Sequence, residues 1–233
     1  MVQGNQYMLK ASLGLKDSDI LNPTVHLKYD KDTLGIELHE QIGGILKVDL
    51  RRINKALDKA FAAQKDFEDE LYALGSDIIS SPGDERPLVV VTGRPYNLFD
   101  EKLNLRLGQN MAKIGMTALP MDFIDIRDVD LSDFPNMYWA YGCQILKAAK
   151  LIKATPNFFG IHLTNFSCGP DSFNEHFYTF IMGDKPFLIL ELDEHTAVAG
   201  VMTRLEAFKN VIQSVQKMES LHTQSAEATV MGS

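Results

Sequence analysis

The residues with chemical potential fall into three short stretches, "TGRPYN" (92–97), "NFSCGPDSF" (165–173) and "ELDEH" (191–195). In the first, Gly93 permits close backbone approach, Arg94 offers a planar fork for a carboxylate or phosphate, and Tyr96 and Asn97 add hydrogen-bonding groups. A single glycine does not make a dinucleotide fingerprint. The competing reading is a turn whose Arg94 pairs with Asp100 or Asp122. In the second stretch, Cys168 precedes Gly169-Pro170, and Asp171 or Ser172 is placed to cap a helix. A thiol beside a helix N-terminus has a lowered pKa, which suits a nucleophile or metal ligand, whereas a small buried cysteine is the bland alternative. His176 and His195 are available as bases, and spacing selects neither. Asp193, Glu194 and His195 are adjacent, so on extended chain they alternate in direction and do not converge on a metal. Glu191 or Asp193 is instead expected to order a neighbouring loop or to pair with Arg204. Cys143 reads as a packed thiol within a helix.

These stretches need elements to hold them. Residues 88–93, "LVVVTG", are valine-rich and end in glycine, as in a strand buried on both faces. Further strands are expected at 116–124, 157–166 and 186–193, separated by helices at about 101–114, 136–154 and 171–182 and followed by one at 200–218. Alternating strands and helices predict an α/β fold, with an open, mostly parallel four-stranded sheet of flavodoxin-like or Rossmann-like kind. Ligands meet such sheets at the carboxyl ends of the strands, where all three stretches fall. Upstream, residues 49–80 carry one apolar stripe and predict a long helix. The domain reading is an irregular docking segment at 1–48, in which the weak alternation of 24–30 suggests a short strand. The long helix and α/β domain follow at 49–219, and a disordered tail at 220–233.

Composition narrows the partners. A formal net charge of −8 argues against nucleic-acid binding. No apolar run approaches the ~20 residues that span a bilayer. Two cysteines cannot build a disulfide framework, and the expectation is a cytoplasmic chain with reduced thiols.

The runs "VVVTGRPYNLFDEKLNLRLGQNMAKIGMTALPMDFI", "MYWAYGCQILKAAKLI" and "LTNFSCGPDSFNEHFYTFIMGDKPFLILELDEHTAVAGVMTRLEAF" resemble the C-terminal part of large bacterial CoA-substrate-specific activase proteins. Those are relatives of 2-hydroxyacyl-CoA dehydratase subunits and double-cubane-cluster proteins. The resemblance implies flavodoxin-like lobes that hold a [4Fe–4S] cluster between them through cysteines, with an ATP-hydrolysing activator as electron donor. On this reading Cys168 is a cluster ligand, and Arg94, Tyr96 and Asn97 line the same cleft. The helix start at Asp171 and Ser172 would then hydrogen-bond cluster sulfur or substrate. The activator's ATPase segment and the other cluster cysteines have no counterpart in this sequence. The resemblance therefore implies one lobe of an electron-transfer system, not catalytic alone, with the remaining ligands on another lobe or subunit. Two other readings stay open: a non-catalytic scaffold lobe that docks a partner, and a phosphate- or nucleotide-binding module using "TGRPYN" and the helix start at 171.

Overall fold

The structure, a computed structural model, describes residues 2–27, 29–81, 86–165 and 169–231. The chain divides into two compact units, Met1–Asp69 and Glu70–Ser233.

In the first unit the residues expected to be irregular are largely helical. Helix α1 is Val2–Leu13, α2 is Lys31–Leu38, a π-turn covers His39–Gly43, and α3 is the short turn Gly44–Leu46. Among the described residues of 24–30 there is no strand. Asp30 decides the matter locally: its carboxylate accepts from the N–H groups of Asp32 and Thr33, both at 3.0 Å, which caps α2. Lys47 takes a left-handed conformation (φ 54°) and ends α3. Leu34 and Ile53 are buried, whereas Tyr7, Leu13, Leu27, Tyr29 and Ile45 stand exposed. Helix α4, Leu50–Ser80, begins in this unit and ends in the second.

The second unit is the α/β fold that the sequence predicts. Strands β1 (Leu88–Gly93), β2 (Thr117–Pro120), β3 (Phe158–Asn165) and β4 (Phe187–Leu192) form one parallel sheet in the order β2-β1-β3-β4. Helices α5 (Pro95–Phe99) and α6 (Leu107–Lys113) lie between β1 and β2, α7 (Ala140–Ala154) leads to β3, and α8 (Gly169–Met182) leads to β4. Helix α9 runs from Val198 to Met231. It thus continues through most of the segment expected to be a disordered tail, whose Ala, Glu and Gln residues are compatible with helix.

The central strands are buried as their composition requires. Val89, Val90, Ile161 and Leu163 are almost wholly inaccessible, together with Met111, Leu119, Ile145 and Leu190. Two boundaries differ from expectation. Pro120 ends β2 early, and a 3₁₀ turn at Met121–Phe123 follows. The helix expected at 101–114 is split, because Leu105 and Arg106 adopt left-handed backbone before α6 begins. Pro95 opens the short α5 instead, with its fixed φ suited to a first helical position.

The chain steps from β1 outward to β2, then returns past β1 to β3. The topological switch point therefore lies between β1 and β3, where the crevice at the carboxyl ends opens. Register places Gly93 beside Leu163 there. A Cβ on Gly93 would stand 2.8 Å from the Leu163 carbonyl oxygen, so glycine is what lets the two strand ends close up.

Candidate functional site at the β1–β3 crevice

Arg94 leaves β1 at the crevice and its Nε donates to Oδ1 of Asp171 at 2.7 Å. Asp171 is 1% exposed. It does not cap α8 from outside, as the sequence suggested: the helix begins at Gly169, and the Asp171 carboxylate turns inward from its first turn. Asp100 and Asp122, the acids expected for Arg94, do other work. Asp100 accepts from the N–H groups of Lys102 and Leu103, and Asp122 accepts from the Tyr141 hydroxyl at 3.2 Å. Burial raises the Asp122 pKa, and burial and the Asp122 charge raise that of Tyr141.

Asn97 lies one helical turn beyond Arg94 and is buried. Its amide orientation is fixed by a relay. Asn165 at the end of β3 donates to the Leu192 carbonyl at 3.2 Å, which leaves its oxygen to accept from Asn97 Nδ2 at 2.7 Å. Asn97 Oδ1 is then an open acceptor. The ends of β1, β3 and β4 are tied by this one chain of amides. Tyr96 and Ser172 are both exposed, on α5 and on the first turn of α8.

Deeper in the crevice lie residues that sequence reasoning did not single out. The Thr92 hydroxyl donates to the Ile161 carbonyl at 3.3 Å and faces His162 Nδ1 at 3.0 Å. Which of the two gives the proton is set by the imidazole tautomer, and Nε2 has no partner among the described residues. The imidazole is wholly buried and stacked on Tyr178, with ring centroids 5.0 Å apart. Burial lowers its pKa to about 4, against a smaller upward pull from Asp171. A Cβ on Gly160 would lie 2.3 Å from the Tyr178 hydroxyl, so Gly160 makes the space that this ring occupies. The signal was present in "GIHLTN": polar His162 and Thr164 within a strand buried on both faces require partners inside the protein.

Asn97 Oδ1, His162 Nε2, Asp171 Oδ2, Asn174 Oδ1 and the Tyr178 hydroxyl are buried polar atoms without a hydrogen-bond partner among the described residues. Beside the start of α8, Phe134, Met137, Phe173 and Phe177 line a largely apolar cavity of about 140 Å³.

The remaining stretches are structural where they are described. Asp193 accepts from the Thr196 hydroxyl at 2.7 Å and from the His195 N–H at 3.0 Å, which closes the turn after β4. Asp193 thus orders the neighbouring loop, the first of the two expectations, and Arg204 donates to the Ile189 carbonyl at 2.5 Å and not to Glu191 or Asp193. Cys143 is half-buried and directs its thiol to the Met137 carbonyl at 3.2 Å. Cys168 lies outside the described residues, in the segment between β3 and α8. Among the described residues no group of three or more His, Cys, Asp or Glu side chains could hold a metal ion. No helix among them is long and apolar enough to cross a membrane.

No curated protein and no solved structure matches the chain significantly. A family model described as the CoA enzyme activase uncharacterised domain matches residues 1–124. The match takes in the N-terminal helices, α4, β1 and the Arg94–Asn97 turn, and runs to the end of the 3₁₀ turn after β2. It covers more than half of the chain, and the protein belongs to the CoA enzyme activase uncharacterised-domain family.

Proposed function

We propose that this chain is a lobe or subunit of an iron–sulfur electron-transfer system of the 2-hydroxyacyl-CoA dehydratase type, contributing Cys168 as one ligand of a shared [4Fe–4S] cluster. Membership of the activase family supports the general role, and the observation that carries the finer reading is the crevice. Cys168 belongs to the connection from Asn165, which ends β3, to Gly169, which starts α8, at the topological switch point of a parallel sheet.

The residues present do not by themselves fit a whole cluster. A four-iron cluster usually takes four thiolates, and the chain has two cysteines, of which Cys143 is engaged within α7. The other ligands come from a second lobe or subunit, and an ATP-hydrolysing activator supplies the electron. In this reading the Arg94–Asp171 pair and the Asn97–Asn165 relay hold the walls of the crevice. Arg94, Tyr96, Asn97, Asp171 and Ser172 remain its lining.

The test is anaerobic reconstitution of the full chain with iron, sulfide and a small thiol to complete the shell, comparing the wild type with Cys168→Ala. A brown wild type and a colourless variant support the proposal. A scaffold lobe, the second reading, is favoured by the many exposed apolar side chains of the first unit and predicts colourless protein in both cases.

A further inference from the structure

The two edges of the sheet are built differently. On one, β2 is four residues long and stops at Pro120, from which a 3₁₀ turn leads the chain away. On the other, β4 is six residues long, and Glu191 is its one charged residue. Short strands and prolines blunt an edge, whereas a longer apolar edge with open main-chain groups is a template for another strand. Two hydrogen bonds show which groups are open. The Leu192 carbonyl accepts from Asn165 of β3 and so faces inward, whereas the Ile189 carbonyl accepts from the Arg204 guanidinium on the other side. Main-chain groups alternate in direction along a strand, so Phe187, Ile189 and Glu191 present their N–H and C=O groups to the open side. Among the described residues, only the Arg204 guanidinium meets these groups.

A groove of about 530 Å³ runs beside this edge, between it and α9. Leu188 lines it from the strand, and Arg204, Ala207, Phe208 and Val211 from the helix. Val211 is 48% exposed although apolar. Phe187, Leu188 and Ile189 are only half-buried, while Gly160, Ile161 and His162 opposite them on β3 are buried. Glu191 lies on the face of the strand opposite to Leu188, exposed and without an ion-pair partner among the described residues. These features define what can cover the edge. Its backbone must offer N–H and C=O groups at every second residue, which an extended segment does and a helix does not. Its side chains must be apolar on the face toward the groove and basic on the other, beside Glu191.

We propose that the edge of β4 docks an extended segment of a partner protein, which joins the sheet as a fifth strand. Main-chain hydrogen bonds to Phe187, Ile189 and Glu191 hold it, and an incoming N–H replaces the Arg204 guanidinium at the Ile189 carbonyl. Selectivity comes from the side chains: apolar residues fill the groove beside Val211 and Phe208, and a lysine or arginine meets Glu191.

Fluorescence anisotropy on the full chain tests the proposal. The probe is a fluorescein-labelled peptide that alternates valine with threonine and carries lysine at both ends. Its control twin is methylated at every main-chain nitrogen, which removes the N–H groups and keeps the side chains. The expected result is saturable binding of the probe, with the twin weaker by about tenfold or more through loss of main-chain hydrogen bonds. Amide hydrogen exchange at Phe187, Ile189 and Glu191 should slow when the probe is bound. Ile189→Pro removes an N–H that faces the open side, so it should leave the circular dichroism unchanged and abolish binding. Glu191→Lys should weaken binding. Absence of saturable binding to the wild type overturns the proposal. Equal binding of probe and twin also overturns it, whatever Ile189→Pro does to folding, because apolar contact without a strand would then suffice. A wild-type dimer in sedimentation equilibrium that Ile189→Pro abolishes would overturn it too, and assign the edge to a second copy.

Discussion

Arg94 and Asp171, 77 positions apart, form one ion pair across the β1–β3 crevice: Nε donates to Oδ1 at 2.7 Å, with the carboxylate 1% exposed and the guanidinium side chain one quarter exposed. The pair fastens the turn after β1 to the first turn of α8.

Removing one partner should therefore cost more than an average contact. Arg94→Ala leaves a buried carboxylate uncompensated and should destabilise the α/β unit by about 3–5 kcal/mol. Asp171→Asn keeps the shape and removes the buried charge, and should cost less. Urea unfolding of both variants and of the double variant checks this; a double variant as stable as Asp171→Asn alone indicates that the penalty comes from the stranded charge.

The His162 imidazole gives the protein an acid sensitivity of its own. Its folded pKa of about 4 lies below the ordinary 6.5, so the unfolded chain takes up the proton first. The stability contribution is complete above pH 6.5, declines as pH falls from there to about 4, and amounts in all to about 3 kcal/mol. Asp130 and Asp193, whose pKa values are lowered from 3.8 by their serine and threonine partners, contribute only further into acid. Unfolding free energies between pH 7 and 4.5 should fall in the wild type and stay nearly level in His162→Gln.

Gly160 and Tyr178 should behave as a coupled pair. Gly160→Ala brings a methyl group within 2.3 Å of the Tyr178 hydroxyl, an overpacking expected to cost about 1–3 kcal/mol. Removing that oxygen in Tyr178→Phe leaves the next neighbours at 3.5 Å, ordinary contact. Thermal unfolding should show most of the loss recovered in the double variant.

Two lysines stitch α7 and α8 together at the opposite end of the sheet. Lys153 donates to the Met182 carbonyl at 2.8 Å, and Lys185 to the Ile152 carbonyl at 2.6 Å and to Thr155, so each helix terminus receives an ammonium group. Lys185→Ala should cost about 1–2 kcal/mol by loss of charged hydrogen bonds at carbonyls the helix leaves open. Chemical denaturation of that variant beside Lys153→Ala measures it.

The sheet was readable in the chain because β1, β3 and β4 are short apolar runs with glycine or polar residues at their ends, and "TGRPYN" announces a strand-terminal turn. The partners were not. Arg94 had acids close in sequence, and only the return of the chain past β1 brings Asp171 nearer than Asp100 or Asp122. Asp171 looked like a cap because it follows Gly169-Pro170, yet α8 starts two residues earlier, and that offset turns the carboxylate inward. The relay from Asn97 through Asn165 to the Leu192 carbonyl ties α5 to the ends of β3 and β4, contacts that no local pattern encodes. Residues 1–48 lack strong apolar periodicity, and their helices rest on local capping such as that by Asp30. Cys168 falls between the end of β3 and the start of α8, outside the described residues.

Iron and acid-labile sulfide bound per chain, after anaerobic reconstitution with a small thiol, test the electron-transfer reading most directly when the wild type is set beside Cys143→Ala and Cys168→Ala. The account predicts that the wild type and Cys143→Ala bind iron and sulfide equally and that Cys168→Ala binds neither. Equal binding in all three, or none in the wild type, would contradict it.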